Sequence, residues 1–387
     1  MLKAKIIVAG RKTIGLPLID TLKSLGHQVL CSFTRRYLWD ELSDEGSTRL
    51  RSIDLSEPTE AKLAEVLDSY CKRGVDDKEP KADVAFIAIP SYSKSEGREE
   101  MELIRYFHSR NVYVILFAKG AMAYRYKELE PHLDNIGRRA VVGGRISVLP
   151  WLQMHNLRGK VITVHGVLNA SNNMFFSECS NGSSMEEAFR SVKLNGLAEP
   201  GATDVDSFVN GEFQDTILKM CVTFNEGFAP SGGPFITPDK LQCPTVTLDD
   251  LRAITLPSRR LRPIVRISKS LSLPLEFEKD FPGSMYSEHE GYQFSLGFYD
   301  LGRESMLARW VGEGAWNGLR VQHDDDGEGP LTIGGLGAGP RPTIGAALCD
   351  LADYLRKREQ MFPKPEREKT SQRAVAKKMS EVDESIA

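Results

Sequence analysis

The stretch that decides the fold is residues 4–15, AKIIVAGRKTIG. Residues 4–9 are rich in β-branched side chains, which predicts a strand, and the turn that follows carries glycine at both ends, Gly10 and Gly15. After the turn, apolar side chains recur at helical spacing through residue 25. A strand, a glycine-bounded turn and a helix in this order predict the first unit of a parallel, doubly wound nucleotide-binding sheet.

The rest of the chain divides into two parts with different rhythms. The first 150 residues alternate short β-branched runs with helical patterns, with strands expected at 28–33, 84–89 and 112–117 and a helix at 99–109. Longer β segments follow, at 161–167, 263–268, 292–299 and 306–311, and the helices expected there are 185–194, 212–224 and 344–355. The predicted fold class is α/β, a Rossmann nucleotide-binding domain with a second α+β domain whose sheet is mostly antiparallel.

The composition is that of an ordinary globular protein of 387 residues, 41% hydrophobic, with 50 Lys plus Arg against 53 Asp plus Glu. This near-neutral balance removes the electrostatic reason to expect a nucleic-acid partner. No stretch approaches the ~18 apolar residues of a membrane span and no cleavable apolar segment opens the chain, so we expect no membrane partner and a cytoplasmic location. The six cysteines are scattered and the histidines do not cluster, so neither a disulfide framework nor a zinc site is indicated.

The glycine-bounded turn is a candidate pyrophosphate site because it opens a helix N-terminus. Lys12 occupies the position of the fingerprint's second glycine, so a plain βα turn without a ligand is the alternative. The predicted cofactor contacts in this loop, together with one residue after the strand at 84–89, are Gly10, Lys12, Thr13, Ile14, Gly15 and Ser91.

The choice of cofactor is read from the end of the second strand, SFTRR at residues 32–36. No carboxylate stands there for a ribose hydroxyl, and the guanidinium groups of Arg35 and Arg36 can bind a phosphate. NADP is therefore favoured, with NAD possible, although the two arginines can also be read as solvated loop charges. Asp54, at the end of the presumed third strand, either approaches the adenine or caps a turn.

Five segments in a fixed order carry a family resemblance: FAKGA (117–121), VVGGRIS (141–147), GVLNASNN (166–173), AEP (198–200) and GLGAGPRPT (335–343). Over about residues 1–355 the chain resembles homoserine dehydrogenase. The resemblance implies NAD(P)-linked interconversion of aspartate 4-semialdehyde and L-homoserine by a homodimer.

The resemblance also implies a division of the chain. We expect an NAD(P)-binding Rossmann domain at 1–150, a substrate-binding and dimerisation domain at 151–330, and a glycine-rich loop and helix that return to the first domain at 331–360. The charged tail at 361–387 is expected to be disordered. It is too short for the regulatory domain that some homoserine dehydrogenases append.

Candidate catalytic residues follow from the chemistry of hydride transfer, which develops negative charge on a carbonyl oxygen and calls for a cationic proton donor. Lys119 ends a strand at the carboxyl edge of the sheet and matches a family lysine, although the preceding family asparagine is Ala118 here. Asp215 and Lys219 reproduce a family aspartate–lysine pair four residues apart on a helix, if a gap is allowed before them. A gapless register would put Asn210 and Gln214 there instead, and a surface salt bridge is the plain structural reading.

The resemblance assigns substrate and loop contacts as well. Glu199 matches the glutamate that holds the substrate's amino group, and Asn169 and Ser171 fall where a carboxylate contact is plausible, or where a turn simply leaves a strand. Gly337 and Thr343 belong to a loop similar to the one that closes over the nicotinamide in the family.

Two arginines depart from the family pattern. Arg139 stands where the family has a glutamate beside a monovalent-cation site, so we expect no metal. Arg145 replaces a glycine near the pocket and could bind an additional carboxylate of a larger or more acidic substrate. Two function classes follow: an NADP-dependent dehydrogenase of an amino-acid semialdehyde, most simply aspartate 4-semialdehyde, or a non-catalytic nucleotide-binding member of the family.

Overall fold

The structure, a computed structural model, describes residues 2–42, 47–71, 82–90, 95–156, 160–198, 201–255, 259–269, 284–302, 311–324 and 329–361. Several predicted features fall outside these residues: Ser91, Glu199, nearly all of the strand expected at 306–311, and the tail beyond Met361. In the part of the chain that is described, no helix is both long and apolar enough to cross a membrane.

A seven-stranded sheet in the order β4-β3-β2-β1-β5-β6-β7 forms the first part of the fold. Its strands are β1 Lys5–Ala9, β2 Gln28–Phe33, β3 Tyr37–Asp40, β4 Thr48–Ser52, β5 Val84–Ile87, β6 Tyr113–Leu116 and β7 Ile136–Gly137. β1 lies at the centre with β2 and β5 parallel on either side, and its residues 6–9 are completely buried. The predicted nucleotide-binding sheet is confirmed.

Helices in this part are α1 Gly15–Ser24, α2 Glu60–Cys71, α3 Arg98–His108, α4 Gly120–Tyr124 and α5 Tyr126–Leu129. The later helices are α6 Val148–His155, α7 Ala170–Ser180, α8 Met185–Leu194, α9 Val205–Thr223, α10 Leu248–Ile254 and α11 Pro340–Met361. Several begin where the sequence supplies a cap. Asp204, for example, accepts a hydrogen bond from the Ser207 amide and starts α9 seven residues earlier than the apolar pattern predicts.

A six-stranded sheet in the order β10-β11-β9-β8-β12-β13 forms the second part. Its strands are β8 Val161–Val167, β9 Leu261–Lys269, β10 Met285–His289, β11 Tyr292–Asp300, β12 Trp316–His323 and β13 Leu331–Leu336. Every pairing in it is antiparallel, which confirms the second half of the predicted fold class. The apolar face of β9 packs against α7 and α9, and so these two helices are held in place beside the first sheet.

The last helix, α11, packs back onto the first sheet. Its buried residues Ile344, Ala347 and Leu351 join the core formed by β1 and α1. Arg139 holds the same helix by ion pairs to Asp350, at 3.6 Å, and to Asp353, at 2.5 Å.

Two local features differ from the sequence expectation. β3 and β4 form a hairpin that extends the sheet beyond β2. The strand presumed to end at Asp54 corresponds to β4, which ends at Ser52, whereas β3 was not predicted. Residues 331–336, expected as a glycine-rich loop, form the edge strand β13 of the second sheet. Glycines here do not break the strand because the β12 backbone pairs with it along its whole length.

Candidate active site

A continuous cleft of about 1620 Å³ runs along the carboxyl ends of the first sheet and is closed on its far side by α7, α9 and the start of α11. Ligands of doubly wound folds bind at this edge. The volume exceeds the ~300–1,000 Å³ typical of single small-molecule pockets, so a dinucleotide and a small substrate fit together.

The turn after β1 has the backbone geometry of a phosphate loop. Gly10 adopts a φ of +106°, and a Cβ atom on it would lie 2.3 Å from the carbonyl oxygen of Ala88. A Cβ atom on Gly15 would lie 2.1 Å from the Gly10 carbonyl oxygen. Both positions therefore require glycine, and Lys12 and Thr13 of this loop line the cleft just before the start of α1.

One side chain of this loop is turned toward the protein. Arg11 pairs with the buried carboxylate of Glu41 and stacks over Trp39, 4.5 Å from the ring centroid. Burial raises the pKa of Glu41, but hydrogen bonds from Ser32 and Ser47, helped by nearby cations, hold that pKa below its usual value overall. The ion pair fixes the loop against the end of β3, a contact that no sequence motif indicated.

The end of β2 carries the two arginines of the predicted phosphate contact. Arg35 and Arg36 are exposed and line the cleft. Arg35 is also held by Glu99 of α3, whose carboxylate accepts from the guanidinium Nε at 3.1 Å and from Nη2 at 2.5 Å. The Glu99 carboxylate therefore lies beside this end of the cleft. Because it belongs to α3, the sequence at the end of β2 could not indicate it.

The predicted lysines and aspartate come together in the cleft. Lys119 follows β6 and caps α4, while Asp215 and Lys219 lie one turn apart on α9. Asp215 bridges the two ammonium groups, with Lys119 Nζ 3.1 Å from Oδ1 and Lys219 Nζ 2.6 Å from Oδ2. Burial alone would raise the pKa of Asp215, but the two lysine charges outweigh it and hold that pKa well below its usual range.

Asn169 positions this cluster from the N-terminus of α7. Its Oδ1 accepts from the Asn172 amide as a helix cap, and its Nδ2 donates to Glu212 Oε2 at 2.6 Å and to Asp215 Oδ2 at 3.2 Å. Both donors of the amide are therefore directed at protein carboxylates. The residue expected to contact substrate directly is instead behind the carboxylates, and Glu212, which sequence reasoning missed, lines the cleft in front of it.

Ser171 and Thr343 also line the cleft, and the hydroxyl of each donates a hydrogen bond to a backbone carbonyl. Ser171 lies at the start of α7, and its hydroxyl donates to the Leu197 carbonyl at 2.8 Å. Thr343 lies in the first turn of α11, where its hydroxyl donates to the Gly339 carbonyl at 2.9 Å, and Gly337 lines the same wall. Ile14 also lines the cleft, whereas the Gly15 backbone supports it from below.

The alternative register of α9 places different residues elsewhere. Asn210 exchanges two hydrogen bonds with the Val246 backbone, at 2.8 and 2.9 Å, and does not line the cleft. Gln214 is exposed and lies at the margin of the cleft. The geometry favours the register with Asp215 and Lys219, because Asp215 forms ion pairs with both Lys119 and Lys219 in the cleft.

Arg139 and Arg145, the two arginines that depart from the family pattern, do not line the cleft. Arg139 pairs with Asp353 of α11. Arg145 is exposed and does not line the cleft, so the structure does not support a substrate carboxylate on Arg145.

Across the described residues, no three His, Cys, Asp or Glu side chains meet in an arrangement that would hold a metal ion. Asp54 is exposed and accepts hydrogen bonds from Ser56, the turn-capping alternative.

A phosphate-binding loop at the sheet edge and a carboxylate-bridged lysine pair in the same cleft define the class: an NAD(P)-dependent oxidoreductase. The model of the homoserine dehydrogenase family matches residues 148–352, more than half of the chain. The chain belongs to the homoserine dehydrogenase family. A comparison with curated proteins found no match.

Solved structures share the fold at low sequence identity. Homoserine dehydrogenase from Thermoplasma acidophilum is 18% identical, with a TM-score of 0.62 over 92% of this chain and 100% of that one. A hyperthermophilic archaeal homoserine dehydrogenase in complex with NADPH is 16% identical, with a TM-score of 0.59 over 92% and 98%. The enzyme from Thiobacillus denitrificans is 16% identical, with a TM-score of 0.61 over 94% and 76%.

Proposed function

We propose that this protein is an NADP-dependent dehydrogenase that interconverts an amino-acid semialdehyde and its alcohol, most simply aspartate 4-semialdehyde and L-homoserine. The observation that carries the proposal is the Lys119–Asp215–Lys219 cluster in the cleft that begins at the glycine-bounded loop. Two ammonium groups held at one carboxylate leave a net positive charge where a carbonyl oxygen becomes an alkoxide.

The residues of the cluster have separable tasks in this reaction. Bound NADPH supplies the hydride to the carbonyl carbon. As the new C–H bond forms, the carbonyl π electrons move to oxygen, and a lysine N–H bond breaks to give the O–H bond of the alcohol. Lys219 is the candidate donor because it lies on α9, on the far side of the cleft from the sheet, whereas Lys119 follows β6 at the sheet edge, where it would stabilise the developing charge.

Asp215 keeps both lysines in place throughout the reaction. Its two oxygens each hold one ammonium group, and the Asn169 amide fixes the carboxylate in turn. A lowered pKa keeps Asp215 ionised, so it cannot compete as the proton donor. The proton that reaches the alkoxide therefore comes from a lysine.

Selection for an amino acid is supported by the groups beside the cluster. Glu212 is buried and lines the cleft, and its carboxylate can accept from a substrate ammonium group. The substrate carboxylate would lie near the start of α7, where backbone amides are the available donors because the Ser171 hydroxyl proton is already bonded to Leu197. Glu199, the residue predicted for the ammonium group, lies outside the described residues.

The NADP preference rests on Arg35 and Arg36 at the end of β2. A ribose 2′-phosphate placed there would accept charge-assisted hydrogen bonds from the guanidinium groups of Arg35 and Arg36, which line this end of the cleft. Glu99 works against this preference, since it neutralises part of the Arg35 charge. The solved relative with NADPH bound is consistent with the same cofactor.

The function is tested by a spectrophotometric assay of the purified protein with NADP and NAD against L-homoserine and a panel of related amino-acid alcohols. We expect absorbance of reduced cofactor to appear with NADP and homoserine. Turnover of another amino-acid alcohol in preference to homoserine would change the substrate and keep the reaction class. Cofactor binding without turnover of any alcohol would favour the non-catalytic alternative.

Arg35→Ala/Arg36→Ala is expected to weaken NADPH binding about 10- to 100-fold and to change NADH binding by less than about twofold, because only NADPH carries the 2′-phosphate. Binding is measured by quenching of protein fluorescence in titrations with each cofactor. Glu99→Gln is the complementary variant, and it should tighten NADPH binding by releasing Arg35. Equal losses for both cofactors in the double variant would show a general structural effect instead.

A further inference from the structure

Beneath the active site, a buried carboxylate has no function in the chemistry described so far. Glu100 lies in the first turn of α3 and is 1% exposed. Neither of its carboxylate oxygens has a hydrogen-bond partner among the described residues. Burying a carboxylate without hydrogen bonds is costly, so its retention needs a reason.

The surroundings of Glu100 connect it to Lys119. α3 begins after a left-handed turn, Glu96 with φ +47° and Gly97 with φ +73°. This turn presses the Gly97 backbone against α4, where a Cβ atom on Gly97 would lie 2.4 Å from the Gly120 carbonyl carbon. A Cβ atom on Gly120 would in turn lie 2.4 Å from Glu100 Oε1. The carboxylate therefore touches the residue that directly follows Lys119.

We propose that Glu100 is a positioning residue for Lys119, acting through the Gly97–Gly120 backbone contact in its ionised form. The inference rests on the proposed function of Lys119. An ionised Glu100 attracts the amide of Gly120 and the ammonium charge of Lys119, and both attractions hold the start of α4 against α3. When the carboxylate is protonated, these attractions are lost and Lys119 is less firmly directed at the substrate.

The charged groups around Glu100 are few. Glu99 lies next to it on α3, and Lys119 faces it from α4. From α2 comes Asp68, which pairs with Arg110 just beyond the opposite end of α3. β5 and β6, which also pack on α3, contribute no charged side chain. The protonation of Glu100 is thus governed by burial, by the backbone amides of Glu100 and Gly120, and by the charges of Glu99 and Lys119.

Burial raises the pKa of Glu100 to about 7, and the charge of Glu99 adds to this rise, although the backbone amides of Glu100 and Gly120 and the charge of Lys119 act to lower it. Because this folded-state pKa lies above the unfolded value of 4.5, the folded protein binds more protons between pH 4.5 and 7. The contribution of Glu100 to stability therefore falls as pH rises through that window and is lowest above pH 7. A neutral glutamine would avoid this loss, so a purely structural role does not account for a carboxylate here.

The test compares wild type with Glu100→Gln, and with Glu102→Gln, a half-buried position on the same helix that pairs with Arg105, as the matched control. In wild type, kcat/KM should fall as pH is lowered through about 7. Glu100→Gln should be about tenfold less active at pH 8, mainly in kcat, and should lack that inflection. Its thermal midpoint should exceed that of wild type at pH 8 and approach it at pH 5.

A readout without turnover separates this inference from the proposed function. In reductively ¹³C-methylated protein, the Lys119 signal, identified by its absence in Lys119→Arg, should shift with an inflection near pH 7 in wild type and Glu102→Gln, but not in Glu100→Gln. Persistence of the inflection in Glu100→Gln, or its absence from wild type, would overturn the inference. If the wild-type protein oxidises no alcohol, the proposed function is rejected. The NMR titration of Lys119 would still decide the role of Glu100.

Discussion

Lys219→Met is expected to lower kcat/KM by about 10²- to 10⁴-fold while leaving NADPH binding within about twofold of wild type. Methionine keeps an unbranched side chain of similar size and removes the ammonium group. Asp215 remains paired with Lys119 at 3.1 Å and bonded to Asn169, so the cleft keeps its charge partner and the protein is expected to fold. The proton donor is lost, and the alkoxide must take its proton from water or from Lys119.

The measurement is steady-state kinetics with homoserine and NADP, supported by a thermal melt. Lys127→Met, at an exposed position of α5, is the matched control and should behave like wild type. Loss of a proton donor that acts in the transition state should lower kcat and leave KM largely unchanged. An unchanged rate in Lys219→Met would contradict the register that places Asp215 and Lys219 in the site.

Gly15→Ala is expected to weaken NADPH binding at least ~10-fold and to destabilise the protein by about 1–3 kcal/mol. The added Cβ atom would lie 2.1 Å from the Gly10 carbonyl oxygen, and that oxygen is backbone, so the loop itself must move. Movement of the loop displaces the amides that face the pyrophosphate, because they belong to the same short turn. Cofactor titrations and denaturant unfolding measure the two effects.

Gly345→Ala provides the matched control in a helix of the same domain core. A Cβ atom there would have no atom within 4 Å, and alanine favours the helix over glycine. We expect this variant to gain about 0.5–1 kcal/mol of stability and to bind NADPH as wild type does. A Gly15→Ala variant that binds NADPH normally would show that the loop does not contact the cofactor closely.

The local elements of the fold were largely predictable from short-range patterns. β2, β8 and α8 begin and end at the predicted residues, and β1 and α1 differ by only a residue or so at each end. These segments have a clear apolar period and clear stop signals, which depend on neighbours in the sequence. β4 was predicted only as a presumed strand ending at Asp54, without its pairing, because all of its residues are exposed and its pairing with β3 leaves no apolar period in the sequence.

The candidate site was predictable in its residues but only partly in its arrangement. The spacing of Asp215 and Lys219 on one helix is a local property, as is the position of Lys119 at the end of a strand. Their meeting is not local, since it depends on how α9 packs across the cleft from β6. The same limit applies to Asn169, because only the packing of α9 beside α7 shows that its side-chain amide is bonded to Glu212 and Asp215.

The sequence by itself determined the βα unit at residues 4–24, the two-sheet architecture and the residue types available for hydride chemistry. Tertiary structure alone decided which charges meet: Glu99 with Arg35, Asp215 with two lysines, and Glu100 buried behind Lys119. The physical reason is that backbone elements follow from periodicity over a few residues, whereas the energy of a charge depends on burial and on partners brought close by packing.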